Sequence, residues 1–131
     1  MHAELRYENL VDRVNSSFPG FPAYLADIQT AVENNESAYL TFLSIYVRER
    51  WQESMIQTKL ADFINAMEAS TTTALKLVYN DFLLDFYLGC EEQGILLSSF
   101  LNQLSQPAKE RMLYNYNYWK EANNKMTDGS R

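Results

Sequence analysis

Apolar residues recur at spacings of three and four along most of this chain, the period of one helical face. Tyr7, Leu10, Val11 and Val14 place a first amphipathic helix over residues 5–17. The run Phe18, Pro19, Gly20, Phe21, Pro22 interrupts it. Gly20 permits a left-handed backbone there, and Pro22 suits the first turn of a new helix, where its missing N–H would be unbonded anyway. Phe18 and Phe21 are expected to anchor this corner. Tyr24, Leu25, Ile28, Ala31 and Val32 continue as a second helix that ends near Asn34, Asn35 and Glu36.

A third helix opens with Ser37 as its N-cap and carries Tyr39, Phe42, Leu43, Tyr46 and Val47 on one face. Ile56, Leu60, Phe63, Ile64 and Met67 mark a fourth over residues 55–69. No Gly or Pro separates the two; a break near Glu53 and Ser54 keeps each within the usual length of a globular helix. Trp51 closes the apolar face of the third helix in the core. Arg48 and Arg50, two apart, point to different sides of a helix, which suits salt bridges to acidic helices better than a phosphate clamp. Ser70 to Thr73 supply hydroxyls for the next N-cap.

The fifth helix, residues 74–89, organises the rest. Leu75, Val78, Tyr79, Phe82, Leu83 and Phe86 make a broad apolar face. Leu77, Leu84 and Leu88 lie on the far side, so two layers of neighbours are expected to cover it. Asp81 and Asp85 occupy a narrow polar stripe, and Gly89 is placed to stop the helix. A sixth helix carries Leu97, Phe100, Leu101 and Leu104. Ser105 and Pro107 open the last one, which ends in a tail over residues 125–131. The pattern defines an all-α protein: one domain over residues 1–124, an antiparallel helical array or irregular bundle of six to seven helices, with a HEAT-like stack as one version.

Composition narrows the class. The chain has 131 residues, 47% of them hydrophobic, enough for one self-sufficient core without a disulfide or metal staple. A single cysteine, Cys90, rules out an intrachain disulfide and fits a reducing compartment. The N-terminus has no signal-peptide pattern and no apolar run reaches a membrane span, so the expected location is the cytoplasm and no membrane is engaged. The net charge is −6, and residues 60–92 hold six carboxylates against one lysine, net −5. Such a field repels nucleic acid and attracts basic partners.

The chemistry on offer is thin. His2 is the one histidine, there is no Gly-rich phosphate loop and no Cys cluster, and a Glu-x-x-His metal pair does not occur. No enzyme, metal or cofactor is therefore expected. Asp81 and Asp85, four apart, are open to three uses: a solvated or salt-bridged helix edge, part of a docking surface, or acid–base chemistry, which would also need a pocket of oriented neighbours. Cys90, at a helix C-terminus beside Glu91 and Glu92, is placed against thiolate formation and reads as a packing residue. In Tyr114-Asn115-Tyr116-Asn117-Tyr118-Trp119, Met112, Tyr116 and Trp119 share one helical face, and Tyr114 and Tyr118 share another. Either all the aromatics are core, or Tyr114 and Tyr118 stay available as binding anchors.

A small, acidic, single-domain helical chain without catalytic equipment, with the Phe18 to Pro22 corner and a buried helix ending in an acidic loop at Glu91 and Glu92, resembles the bacterial immunity proteins of contact-dependent inhibition and related toxin systems. That resemblance implies an inhibitor that binds a cognate basic toxin domain, such as a nuclease. No site residue is carried over from it. The partner-binding candidates come from this chain's own pattern: Asp81, Asp85, Glu91, Glu92, Tyr114 and Tyr118. The alternatives are a self-associating scaffold, with a homodimer through the Tyr and Trp surface, and an acidic DNA mimic of phage type.

Overall fold

A computed structural model describes residues 9–27, 36–70 and 73–129. The described residues form seven helices and no strands: α1 (Leu10–Ser17), α2 (Phe21–Asp27), α3 (Glu36–Glu49), α4 (Ser54–Ala69), α5 (Thr73–Gln93), α6 (Ser98–Leu101) and α7 (Gln106–Gly129). Their lengths run from four residues in α6 to 24 in α7 with no repeating unit, so the packed array is irregular. Tyr7 and the second half of the expected second helix lie outside the described residues.

The Phe18 to Pro22 corner packs as its sequence demands, with Phe18 and Phe21 both buried. Gly20 is needed for another reason than the one its sequence suggests. It does not adopt a positive φ; instead, a Cβ there would meet the Tyr46 hydroxyl at 2.6 Å. α3 is described from Glu36, and Ser37, the expected cap, lies within it. It ends in tight turns through Trp51 and Glu53, whose N–H groups reach back to the Arg48 and Arg50 carbonyls. The break before α4 therefore forms without Gly or Pro, held by buried Trp51 wedged against Phe86 and Phe100 at ring separations of 5.5 and 5.0 Å.

α5 is the centre, packed mainly on α3 and α7 and also on α4. Its buried face is the one predicted: Leu75, Val78, Tyr79, Phe82, Leu83 and Phe86. Phe82 and Phe86 sit within an aromatic chain that crosses the core from Phe18 through Phe63 to Trp51 and Phe100. Burying rings of this size supplies about 1.5–3 kcal/mol each, before entropy is charged against them. The far side of α5 is not fully covered, since Leu77 is 65% exposed.

The end of α5 differs from the expectation. Gly89 does not stop the helix; it lies inside, where the Arg48 guanidinium packs so closely that a Cβ would come within 2.2 Å of Nη1. The stop is Gly94, at φ 72°. Its N–H bonds the Glu91 carbonyl and the next N–H, of Ile95, bonds that of Cys90, the paired bonds of a Schellman cap. Glu91 and Glu92 thus belong to the last helical turn rather than a loop. At the start of α7, Ser105 Oγ accepts from the Ala108 N–H at 3.3 Å, with Pro107 in the first turn as predicted. The α7 backbone remains helical to Gly129, past residue 125 where the pattern suggested a tail.

Candidate docking face on α7

The i, i+4 spacing of Tyr114 and Tyr118 puts both rings on the outer side of α7, because Ala108 and Met112 already point that helix into the core. Tyr114 is 67% and Tyr118 66% exposed. Their rings stack on each other with centroids 6.4 Å apart. Glu110, one turn before Tyr114, and Glu121, one turn after Tyr118, are exposed too, as is Asn117 between them. A tyrosine pair with a carboxylate at each end therefore runs along the surface. Glu110 and Glu121, not among the predicted contacts, are legible in the sequence as the i−4 neighbour of Tyr114 and the i+3 neighbour of Tyr118.

Clefts open on either side of this stripe. One, of about 320 Å³, is bounded by Glu68, Pro107, Glu110, Arg111 and Tyr114. The other, of about 300 Å³ between α5 and α7, is bounded by Asn80, Asp81, Leu84, Asn115, Tyr118, Trp119 and Ala122. Asn115 Nδ2 donates to Asn80 Oδ1 at 3.2 Å and ties the two helices together there. Asp81 and Tyr118, 37 residues apart in sequence, thus share one site.

The remaining predicted residues do not join it. Asp85 is half-buried, and its Oδ2 is enclosed with no hydrogen-bond partner, so that oxygen takes no salt bridge. Glu91 Oε2 accepts from the Tyr116 hydroxyl at 2.5 Å, beside the Tyr87 ring, and borders a different cleft with Ile95, Leu96 and Leu97. That hydrogen bond, followed by desolvation and the nearby carboxylate charge, pushes the Tyr116 hydroxyl above its ordinary pKa. Glu92 is exposed on the last turn of α5. Within the acidic segment 60–92, Glu68, Asp81 and Glu91 border three different clefts.

The expected arginine salt bridges are likewise replaced. Arg48 donates to the Ser44 carbonyl and hydroxyl and to Gln93 Oε1. Arg50 donates to the Tyr46 carbonyl and lies over the Tyr46 and Tyr24 rings at 4.0 and 5.4 Å. The ion pairs among the described residues centre on Glu68, which the sequence did not flag. Arg111 grips it with Nε at 2.7 Å and Nη2 at 3.2 Å, Lys76 Nζ lies 3.4 Å away, and the Tyr79 hydroxyl donates at 3.0 Å. Burial alone would raise the Glu68 pKa, but hydrogen bonds from Arg111 and Tyr79 and the charges of Arg111 and Lys76 outweigh it and hold the carboxyl below its ordinary value. Desolvation first, and then the Glu68 charge, push Tyr79 upward. This hub fastens α4, α5 and α7 and takes Arg111 out of play as a free surface cation. Its one sequence signal is a carboxylate at the C-terminal turn of a helix, where the dipole disfavours it unless other groups hold it.

Cys90 is buried, and desolvation, opposed by the Arg48 charge, raises its thiol to about 12. Among the described residues no cluster of three His, Cys, Asp or Glu is placed to hold a metal ion, and no helix is long and apolar enough to cross a membrane. Comparisons with protein-family models, curated proteins and solved structures return no match, so no function enters by analogy.

Proposed function

We propose that this protein is an inhibitory binding module that docks a basic protein domain, acting as an immunity protein that neutralises a basic bacterial toxin such as a nuclease. The observation that carries this reading is the acid-flanked tyrosine pair, Glu110, Tyr114, Tyr118 and Glu121, on the outer face of α7. Tyrosines are effective anchors because they bury a large ring while freezing few rotors, and carboxylates around them steer a cationic partner and exclude an anionic one. Arg111, one turn before Tyr114, is committed to Glu68, and Lys120, two residues past Tyr118, lies over the Tyr116 ring instead, so the charges in the stripe itself are those of Glu110 and Glu121. Asp81 extends it across the cleft.

Self-association through the same tyrosines is the weaker reading on electrostatic grounds. Two copies of α7 packed antiparallel would set Glu110 opposite Glu121, and packed parallel would set each carboxylate opposite itself, so like charges meet either way. The direct test is to search the neighbouring genes for a basic toxin domain and to titrate that domain calorimetrically against this protein. A stoichiometric complex whose affinity falls as salt rises is expected; no heat with that domain, or a salt-insensitive complex, contradicts the proposal. Sedimentation of the protein alone is expected to give a concentration-independent monomer.

A further inference from the structure

We infer that the α5–α7 cleft is the receptor for a single arginine side chain of the basic partner. The inference rests on the docking reading and deepens it. A guanidinium asks for three things: a flat aromatic surface to lie on, a carboxylate to share charge with, and carbonyl oxygens for its remaining N–H groups. The cleft supplies each. Tyr118 and Trp119 provide the rings, exposed Asp81 the charge, and Asn115 an amide oxygen, its Nδ2 being the atom bonded to Asn80. Leu84 gives the aliphatic stem an apolar wall, as long cationic side chains require. The space, about 300 Å³, is of side-chain rather than helix size.

The molecule holds a guanidinium of its own in similar company. Arg50 rests over Tyr46 and Tyr24, and the Tyr24 hydroxyl donates to Glu49 at 3.2 Å. An arginine of this fold thus lies over two tyrosine rings, one of which is tied to a carboxylate; at the α5–α7 cleft two rings and the exposed Asp81 border open space. Lysine fits less well, since its compact ammonium neither stacks nor forks between Asp81 and Asn115.

The test is an amide and indole NMR titration of the full chain with N-acetyl-arginine amide, with the capped citrulline and lysine analogues as controls. Saturable shifts at Asn80, Asp81, Asn115, Tyr118 and the Trp119 indole are expected from arginine, with weaker ones from lysine and none from citrulline. Asp81→Asn, at an exposed position, is expected to weaken arginine binding about fivefold or more while the rest of the spectrum stays in place. Citrulline shifts equal to those of arginine, or an Asp81→Asn variant that binds as well as the wild type, would overturn the inference. Shifts confined to Glu110, Tyr114, Asn117 and Glu121 would also overturn it while leaving the basic-partner reading standing. Silence at every position overturns the cleft alone, because calorimetry with the basic domain judges the docking reading separately.

Discussion

The inner and outer aromatics of this protein do opposite work with the same chemistry. Phe82 and Phe86 of α5 touch Phe63, Trp51 and Phe100 and lose nearly all contact with water. Tyr114 and Tyr118 of α7 touch each other and keep two thirds of their surface exposed. The first set holds the fold, since each ring bridges helices that are distant in sequence. The second set adds little to stability and leaves large, rigid rings unspent. On the proposed docking reading, a surface that keeps such rings in water, framed by Glu110 and Glu121, stores its burial energy for a partner.

The contrast should break hardest at the centre. Phe86→Ala removes a ring that contacts Trp51, Phe82 and Phe100, and is expected to cost about 3–5 kcal/mol. In thermal denaturation that corresponds to a fall in Tm of about 10–20 °C for a domain of this size. A change under about 1 kcal/mol would show that the aromatic chain is not the centre of the core.

Next comes the Glu68 hub, which joins the inner and outer regions. Glu68→Gln leaves Arg111 without its forked partner and is expected to cost about 2 kcal/mol, less than a fully buried pair would because Arg111 and Lys76 can turn to water. Its pH signature is distinctive. Glu68 has a lowered pKa, so its contribution is present above pH 4.5, the ordinary value, and is lost as pH falls through the native value. Urea denaturation between pH 3 and 6 should therefore show a shallower acid limb in Glu68→Gln than in the wild type. At the other extreme Tyr39 is raised from 10.0 to about 12, by burial and then by the Asp12 charge, and Cys90 from 9.0 to about 12. Their neutral forms are the ones the fold stabilises, so this stability is intact below pH 9 and drains as pH rises toward 12.

Cys90 sharpens the inside of the comparison. A buried thiol with a raised pKa should react with an aromatic disulfide reagent at pH 8 only as fast as the protein opens, and about at the free-thiol rate in urea. Rapid labelling of the native protein would place Cys90 at the surface.

Much of the fold was legible because it is periodic. The faces of α4 and α5, the Phe18 to Pro22 corner, the Ser105 cap and the outward placement of Tyr114 and Tyr118 all follow from local spacing, whereas Tyr116 and Trp119, on the face expected to pack inward, are only half-buried. What was not legible depends on contacts from far along the chain. Gly89 looks like a helix stop, but Arg48 arrives from 41 residues away and needs the space a side chain would fill. Glu68 looks like an ordinary carboxylate until Arg111 meets it. Arg48 and Arg50 seemed destined for carboxylates; a glycine surface, a pair of rings and nearby carbonyls hold them instead. For the site, Asp81 and Tyr118 share a cleft and Tyr114 stacks on Tyr118, whereas Asp85 is half-enclosed and Glu91 is taken up by Tyr116. Helical spacing gives the face of one helix; it does not say which faces of two helices become neighbours.

The smallest stability effect and the largest functional one should fall on the same residues. Tyr114→Ser with Tyr118→Ser removes two exposed rings, so Tm is expected to move by no more than about 3 °C. Two anchor tyrosines at the centre of an interface are together worth about a hundredfold or more in affinity. The decisive measurement is calorimetric titration of wild type and this double variant with a basic toxin domain found by searching the neighbouring genes, alongside their melting curves. The account predicts tight binding by the wild type, at least about a hundredfold loss in the variant, and nearly superimposable melts. Equal affinity in both proteins, or a variant that melts far earlier, would contradict the claim that the outer face of α7 is kept for a partner.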